Sequence, residues 1–176
     1  MAMAQSRYEK VAGTGSPKIN YFFSLDSLPP TLDVCILATP AVRRLELINK
    51  ILSQSRCSYI ILEKVVFQSP VDFSKAEKLF SKHHVDAWVN CPRRLWPVFQ
   101  ELKESLAGLE EINFSFVGEK FAMACNAIHF IDLFQFLTGC PEVIVDGTNL
   151  SLPYEDKKRV GSLEFSGSLI IQTAKG

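Results

Sequence analysis

The run Ile60-Ile61-Leu62-Glu63-Lys64 ends an apolar stretch with an acid and a base side by side. Packing gives no reason to place a charged pair directly after an apolar strand. A lysine that loses solvent at such an edge suits proton transfer, because desolvation favours the neutral amine. The plain alternative is a solvated lysine, since most lysines lie at the surface. The i, i+3 spacing of His129 and Asp132 puts them on neighbouring positions of one helix face. His129 lies within Ile128-His129-Phe130-Ile131, so a satisfied core histidine competes with a functional one. Arg93-Arg94 follows a third short apolar run, as an anion-binding pair or a plain surface pair. Cys125 has no histidine or acid placed to activate it and reads as a small buried residue. His83-His84 reads as a solvated helix end. Neither the histidines nor the cysteines show metal-ligand spacing, so no metal is expected.

The elements that must position these residues alternate. Val34–Ala38, Tyr59–Leu62 and Ala87–Val89 read as short buried strands. A helix is expected from Pro40 through Leu45, Ile48, Ile51 and Leu52. A second is expected after Ser69-Pro70, capped by Asp72 or Ser74, through Ala76, Leu79 and Phe80. A third spans Leu95–Leu106. This order predicts a parallel sheet with crossover helices, whose strand ends at Ala38-Thr39-Pro40, Glu63-Lys64 and Asn90–Arg94 converge on one crevice. After Gly108 the pattern changes. Glu111–Val117 alternates like a half-exposed strand, Cys125–Leu137 reads as an apolar helix stopped by Gly139 and Pro141, and Val143–Leu150 and Leu163–Thr173 read as antiparallel strands. Phenylalanines 114, 116, 121, 130, 134 and 136 are expected to pack helix against sheet.

The fold class expected is therefore α/β: an incomplete Rossmann-like parallel sheet over residues 1–108, then part of an α+β domain with a mostly antiparallel sheet over 109–176. The first 30 residues are weakly patterned. Tyr21-Phe22-Phe23 suggests a short strand, and Gly13-Thr14-Gly15-Ser16 reads better as a flexible turn than as a phosphate loop. Both ends look cut. No strand, glycine-rich turn and helix open the sheet, and the strand near Ile171 ends without partners.

Bulk properties narrow the field. The 176 residues carry 19 basic and 19 acidic side chains with no basic block, so nucleic acid and anionic membranes are not expected partners. The apolar runs are too short to span a bilayer. An odd set of 5 cysteines after a polar start fits a reducing, cytoplasmic setting.

Four motifs in register carry a resemblance: Asp33-Val34-Cys35-Ile36-Leu37-Ala38-Thr39-Pro40, Leu62-Glu63-Lys64, Arg93-Arg94 and His129-Phe130-Ile131-Asp132. Together they resemble the glucose–fructose oxidoreductase / inositol dehydrogenase (Gfo/Idh/MocA) family over residues 31–140, and most resemble its sugar-modifying members. The resemblance implies an NAD(P)-dependent oxidoreductase, or a fragment of one, acting on a sugar-like alcohol or ketone. Thr39 and Pro40 would line the nicotinamide site, and Glu63 would touch the cofactor. Lys64, also at the cofactor, would hold the reacting hydroxyl and move its proton. His129 would be the partner acid or base at the substrate, Asp132 the second member of the His-x-x-Asp turn, and Arg94 would shape the substrate pocket. Asn126 would hydrogen-bond a sugar hydroxyl but cannot take a proton as a carboxylate does. The cofactor implied is NAD or NADP, since the residue that would read the ribose belongs to the missing unit. The second-domain sheet would serve homo-oligomer formation.

Departures from the family are Val65 for proline, Pro92 for asparagine, Cys125 for an acid, and the missing glycine-rich unit, which impairs cofactor binding by this chain alone. They sustain a second reading, a non-catalytic binding or assembly module that keeps the dehydrogenase fold.

Overall fold

The computed structural model describes residues 2–11, 19–118, 121–155 and 161–173. The chain forms two compact units, Met1–Trp88 and Val89–Gly176. The change of pattern near Gly108 falls inside the second.

In the first unit, strands β1 (Thr31–Leu37), β2 (Arg56–Leu62) and β3 (Asp86–Val89) form a parallel sheet in the order β1-β2-β3. The register of β1 and β2 runs from Thr31↔Arg56 to Leu37↔Leu62. Helices α2 (Arg44–Gln54) and α3 (Pro70–His83) connect them. Cys35, Leu37, Ile60 and Leu62 point to one face, where Ile48, Ile51 and Leu52 of α2 and Ala76 of α3 close the core. The strands were expected to be buried throughout, yet only this face is closed. On the other, Val34, Ile36, Tyr59 and Trp88 are exposed, with Trp88 tilted against Tyr59.

Several boundaries differ from expectation for local reasons. Helix α1 (Ala2–Val11) is polar, with no apolar stripe to announce it. Tyr21-Phe22-Phe23 forms no strand: the chain bends at Phe23 and Ser24 into a 3₁₀ turn, Leu25–Ser27, capped by the Ser24 hydroxyl. Gly13–Ser16 lies outside the described residues. Helix α2 starts at Arg44 rather than Pro40, because Arg43 holds a left-handed φ of 59°. Helix α3 starts at Pro70 with Ser69 as its cap residue, so neither Asp72 nor Ser74 caps it.

In the second unit, a 3₁₀ turn (Pro92–Leu95) leads into helix α4 (Pro97–Leu106), and Pro97 fixes the helix start. Helix α5 (Met123–Thr138) buries Phe130, Leu133, Phe134 and Leu137 and ends at Gly139 in the left-handed conformation. Strands β4 (Val143–Leu150) and β7 (Gly167–Thr173) pair antiparallel, as do β5 (Tyr154–Glu155) and β6 (Leu163–Glu164). The strand expected over Leu163–Thr173 is thus two strands. Their break precedes Gly167, whose φ is +110° and where an added Cβ would lie 2.1 Å from the Asn149 carbonyl oxygen. Only glycine fits there.

The expected strand Glu111–Val117 is absent. Its alternation survives as half-buried Ile112 and Phe114, but it forms no ladder among the described residues. Phe114 and Phe116 stack instead on Phe130 of α5, so ring packing satisfies the side-chain pattern that suggested a strand.

The two tryptophans divide between the units, Trp88 in the first and Trp96 in the second. With Trp88 as the fluorescent reporter, Ile60→Ala at a fully buried site should lower first-unit stability by about 2–4 kcal/mol. Ile36→Ala, at 67% exposure, should change it by about 0.5 kcal/mol or less.

Candidate functional site

In the first unit the site is the carboxyl edge of β1 and β2. The Glu63 N–H donates to the Leu37 carbonyl at 3.0 Å, so the ladder carries Glu63 to the end of β1. Beyond it the chains separate into the Ala38–Arg43 and Lys64–Ser69 loops. Loops leaving a buried sheet carry peptide carbonyls that need donors.

Arg44 supplies those donors. It is 2% exposed and lies at the first position of α2, in register with Ile48, Ile51 and Leu52 on the core-facing stripe. Its Nη1 donates its two hydrogens among the carbonyl oxygens of Glu63 at 2.5 Å, Val65 at 2.7 Å and Val66 at 2.8 Å, one hydrogen being shared. Its Nη2 donates to the Thr39 carbonyl. Burial pulls the guanidinium below its ordinary range, while the Glu63 charge opposes the shift. A guanidinium stays protonated even so.

Lys64 and Glu63 are half-buried, and Thr39 and Pro40 are exposed. The Glu63 carboxylate accepts the Lys64 backbone N–H at 3.1 Å. The Lys64–Val65 peptide is cis, and Val65 stands where the resembled family carries proline. Val66 and Phe67 anchor the far side of the loop in the core, and Phe67 packs edge-on against Phe73 at 5.0 Å. Burial pushes the Cys35 and Cys57 thiols up, so neither is an activated nucleophile.

The second unit holds the other candidates. Arg94 and Asp132 form a two-pronged ion pair, Nε to Oδ2 at 3.0 Å and Nη2 to Oδ1. The Asp132 hydrogen bond raises the Arg94 pKa. Cations also lie over two α5 rings, with Arg93 4.0 Å from the Phe130 centroid and Lys103 4.3 Å from that of Phe136. His129 is half-buried one turn before Asp132. Asn126 donates its amide to the Phe121 carbonyl at 2.7 Å, so part of its hydrogen-bonding capacity closes the start of α5.

Sequence reasoning missed Glu164. It is 5% exposed, and its carboxylate accepts the Ala124 N–H at 2.9 Å in the first turn of α5. The cap residue of that helix, Ala122, has no side chain able to do this. A carboxylate there also faces the positive end of the helix dipole. Arg44 was missed as well. Its signal was its place on an apolar stripe, where a charge reads as an interruption.

A cavity of about 380 Å³ lies in the second unit, lined by Phe116, Phe121, Met123, Phe130 and Leu169 among others. A second, of about 480 Å³, lies at the amino-terminal ends of β1 and β2, by Thr31, Arg56 and His84. Neither contains a candidate site residue. Met123, Ala127 and Phe130 face the first cavity from the side of α5 opposite His129 and Asp132. Among the described residues no cluster could hold a metal ion.

No protein-family profile and no curated protein matches this sequence. Solved structures do. Super-repressor Gal80p of Saccharomyces cerevisiae aligns with 96% of this chain and 54% of its own, at 14% identity and a TM-score of 0.60. A protein of Sinorhizobium meliloti 1021, provisionally assigned as a myo-inositol dehydrogenase, covers 82% of this chain and 48% of its own, at 21% identity and TM-score 0.58. A provisionally assigned oxidoreductase of Klebsiella pneumoniae covers 95% and 50%, at 14% identity and TM-score 0.61. The chain shares the fold of these structures. Within that fold the chain spans about half the length of the structures it matches.

A nicotinamide dinucleotide needs polar groups at its nicotinamide end and a cradle for its pyrophosphate. Thr39, Glu63 and Lys64, on adjoining strand ends, suit the polar nicotinamide end. Among the described residues the first unit has no glycine, so none forms the glycine-rich turn that cradles a pyrophosphate.

Replacing Glu164 by alanine removes the side-chain cap of α5. Second-unit stability, followed through Trp96, should fall by about 1–2 kcal/mol. Glu164→Gln should fall less, because its amide oxygen still accepts the Ala124 N–H.

Proposed function

We propose that this chain forms part of an NAD(P)-dependent oxidoreductase that transfers a hydride between the nicotinamide and a sugar or sugar-derivative alcohol or ketone. The observation that carries the reading is the half-buried Glu63-Lys64 pair, fixed beside the Thr39 exit of a parallel sheet in a fold shared with oxidoreductase structures. Ligands of open parallel sheets bind at that edge.

Thr39, Pro40, Glu63 and Lys64 hold the nicotinamide end. When bound, the cofactor supplies the hydride acceptor or donor. In the oxidative direction Lys64 hydrogen-bonds the substrate hydroxyl and takes its proton as the carbon–hydrogen bond breaks. On α5 of the second unit His129 is the second proton-handling group. Arg94, Asn126 and Asp132 shape the substrate side, with the Arg94–Asp132 pair fixing the turn that carries His129. The reading places the protein in the cytoplasm, where its thiols stay reduced. It assigns self-association to the β4–β7 sheet, which exposes Ile144, Val145 and Ile170. The functional domain division stays at Gly108, where the strand–helix alternation ends.

A second reading is a non-catalytic binding or assembly module. The Gal80p match favours it: that structure is described as a super-repressor, and it covers 96% of this chain.

An amide chemical-shift titration with NADH and NADPH separates the two. The oxidoreductase reading predicts weak binding, in the millimolar range, with shifts centred on Thr39, Glu63 and Lys64. Saturation with no shift at those amides supports the module instead. Micromolar affinity would contradict an incomplete phosphate cradle.

A further inference from the structure

We propose that Arg44 is a positioning residue that sets the placement of Lys64 relative to the β1 exit; the inference rests on the reading of Lys64 as the proton carrier. The carbonyls held by Nη1 belong to Glu63, just before Lys64, and to Val65 and Val66, just after it. The peptide groups on both sides of the lysine are therefore tied to one planar cation. Two nearby N–H groups are fixed too, Glu63 to Leu37 and Lys64 to the Glu63 carboxylate. Through Nη2 the same guanidinium holds the Thr39 carbonyl. One side chain thus sets the spacing between the loop that carries Lys64 and the loop that carries Thr39 and Pro40.

Geometry limits what else could do this. Arginine presents five donors in a rigid planar fork, while lysine presents three on one nitrogen. The ammonium of a lysine at position 44 cannot span carbonyls from two separate loops. Burial reinforces the point, since at 2% exposure little water is available to bridge the gaps. Arg44 faces the charge of Glu63, just after β2, and no other charged group shifts it. It touches neither substrate nor cofactor in this scheme and acts through the backbone of Lys64.

The test compares the wild-type chain with Arg44→Lys after reductive ¹³C-methylation, with the Lys64 methyl signal assigned through Lys64→Arg. The expected result is a folded Arg44→Lys variant whose Lys64 signal moves and narrows toward that of exposed Lys78 on α3. The amides of Thr39, Lys64, Val65 and Val66 should shift with it, while those of Ile48 and Ile51 on the same helix keep their positions. A Lys64 signal unchanged in folded Arg44→Lys overturns the proposal. So does a uniform shift through the α2 core, which marks a purely structural arginine. If Arg44→Lys does not fold, Arg44→Gln is read in the same way. Unfolding of both makes Arg44 a requirement of the fold and equally overturns the proposal. The measurement needs no turnover. A Lys64 signal that follows Arg44 in a chain whose strand-end amides ignore NADH keeps the positioning role and rejects the oxidoreductase reading.

Discussion

The guanidinium of Arg44 solves a problem that every open parallel sheet has at its carboxyl edge. Strands end there, ladders stop, and the departing loops carry carbonyl groups without ladder partners. A buried carbonyl left without a donor costs about 1–3 kcal/mol. Here the carbonyls of Thr39, Glu63, Val65 and Val66 all turn toward one side chain. Burying a cation is itself unfavourable, and burial does pull its pKa down. The arrangement persists because the converging carbonyl dipoles and the Glu63 charge replace the water it has lost. Everything proposed for this edge depends on that exchange, since it decides where Lys64 begins.

The second unit applies the same physics with signs reversed. Helix α5 starts without a capping side chain of its own, and a buried carboxylate from β6 supplies the acceptor. Further along, cations from the Pro92–Leu95 turn and α4 grip Asp132 and the rings of Phe130 and Phe136. Asp132 therefore serves the structure whatever it does for a substrate. Its pairing with Arg94 orders the turn on which His129 sits.

Much of this was legible in the sequence, and each exception has its own cause. β1, β2 and β3 could be read because short apolar runs bounded by breakers have few other fates. α5 could be read because its apolar run is long and Gly139 stops it. The Glu63-Lys64 edge stood out because charge directly after an apolar strand is conspicuous. Arg44 was hidden because period-counting scores a charge on an apolar stripe as noise, although its register with Ile48 and Ile51 marked it. Glu164 was hidden because its partner lies 40 residues away in sequence. The unformed strand at Glu111–Val117 misled because alternation reports which side chains are covered, not whether the backbone finds a partner. Here Phe114 and Phe116 stack on Phe130.

Each unit thus carries its own candidate residues, Lys64 on a clamped strand end in the first and His129 on a charge-braced helix in the second. The clamp is the part on which the account stands. Low-temperature ¹H–¹⁵N spectra of the Arg44 Nη groups test it most directly. A guanidinium locked onto four carbonyls should give separate, slowly exchanging Nη resonances with through-hydrogen-bond couplings to the carbonyl carbons of Thr39, Glu63, Val65 and Val66. A single averaged Nη signal in rapid exchange with water would contradict the account.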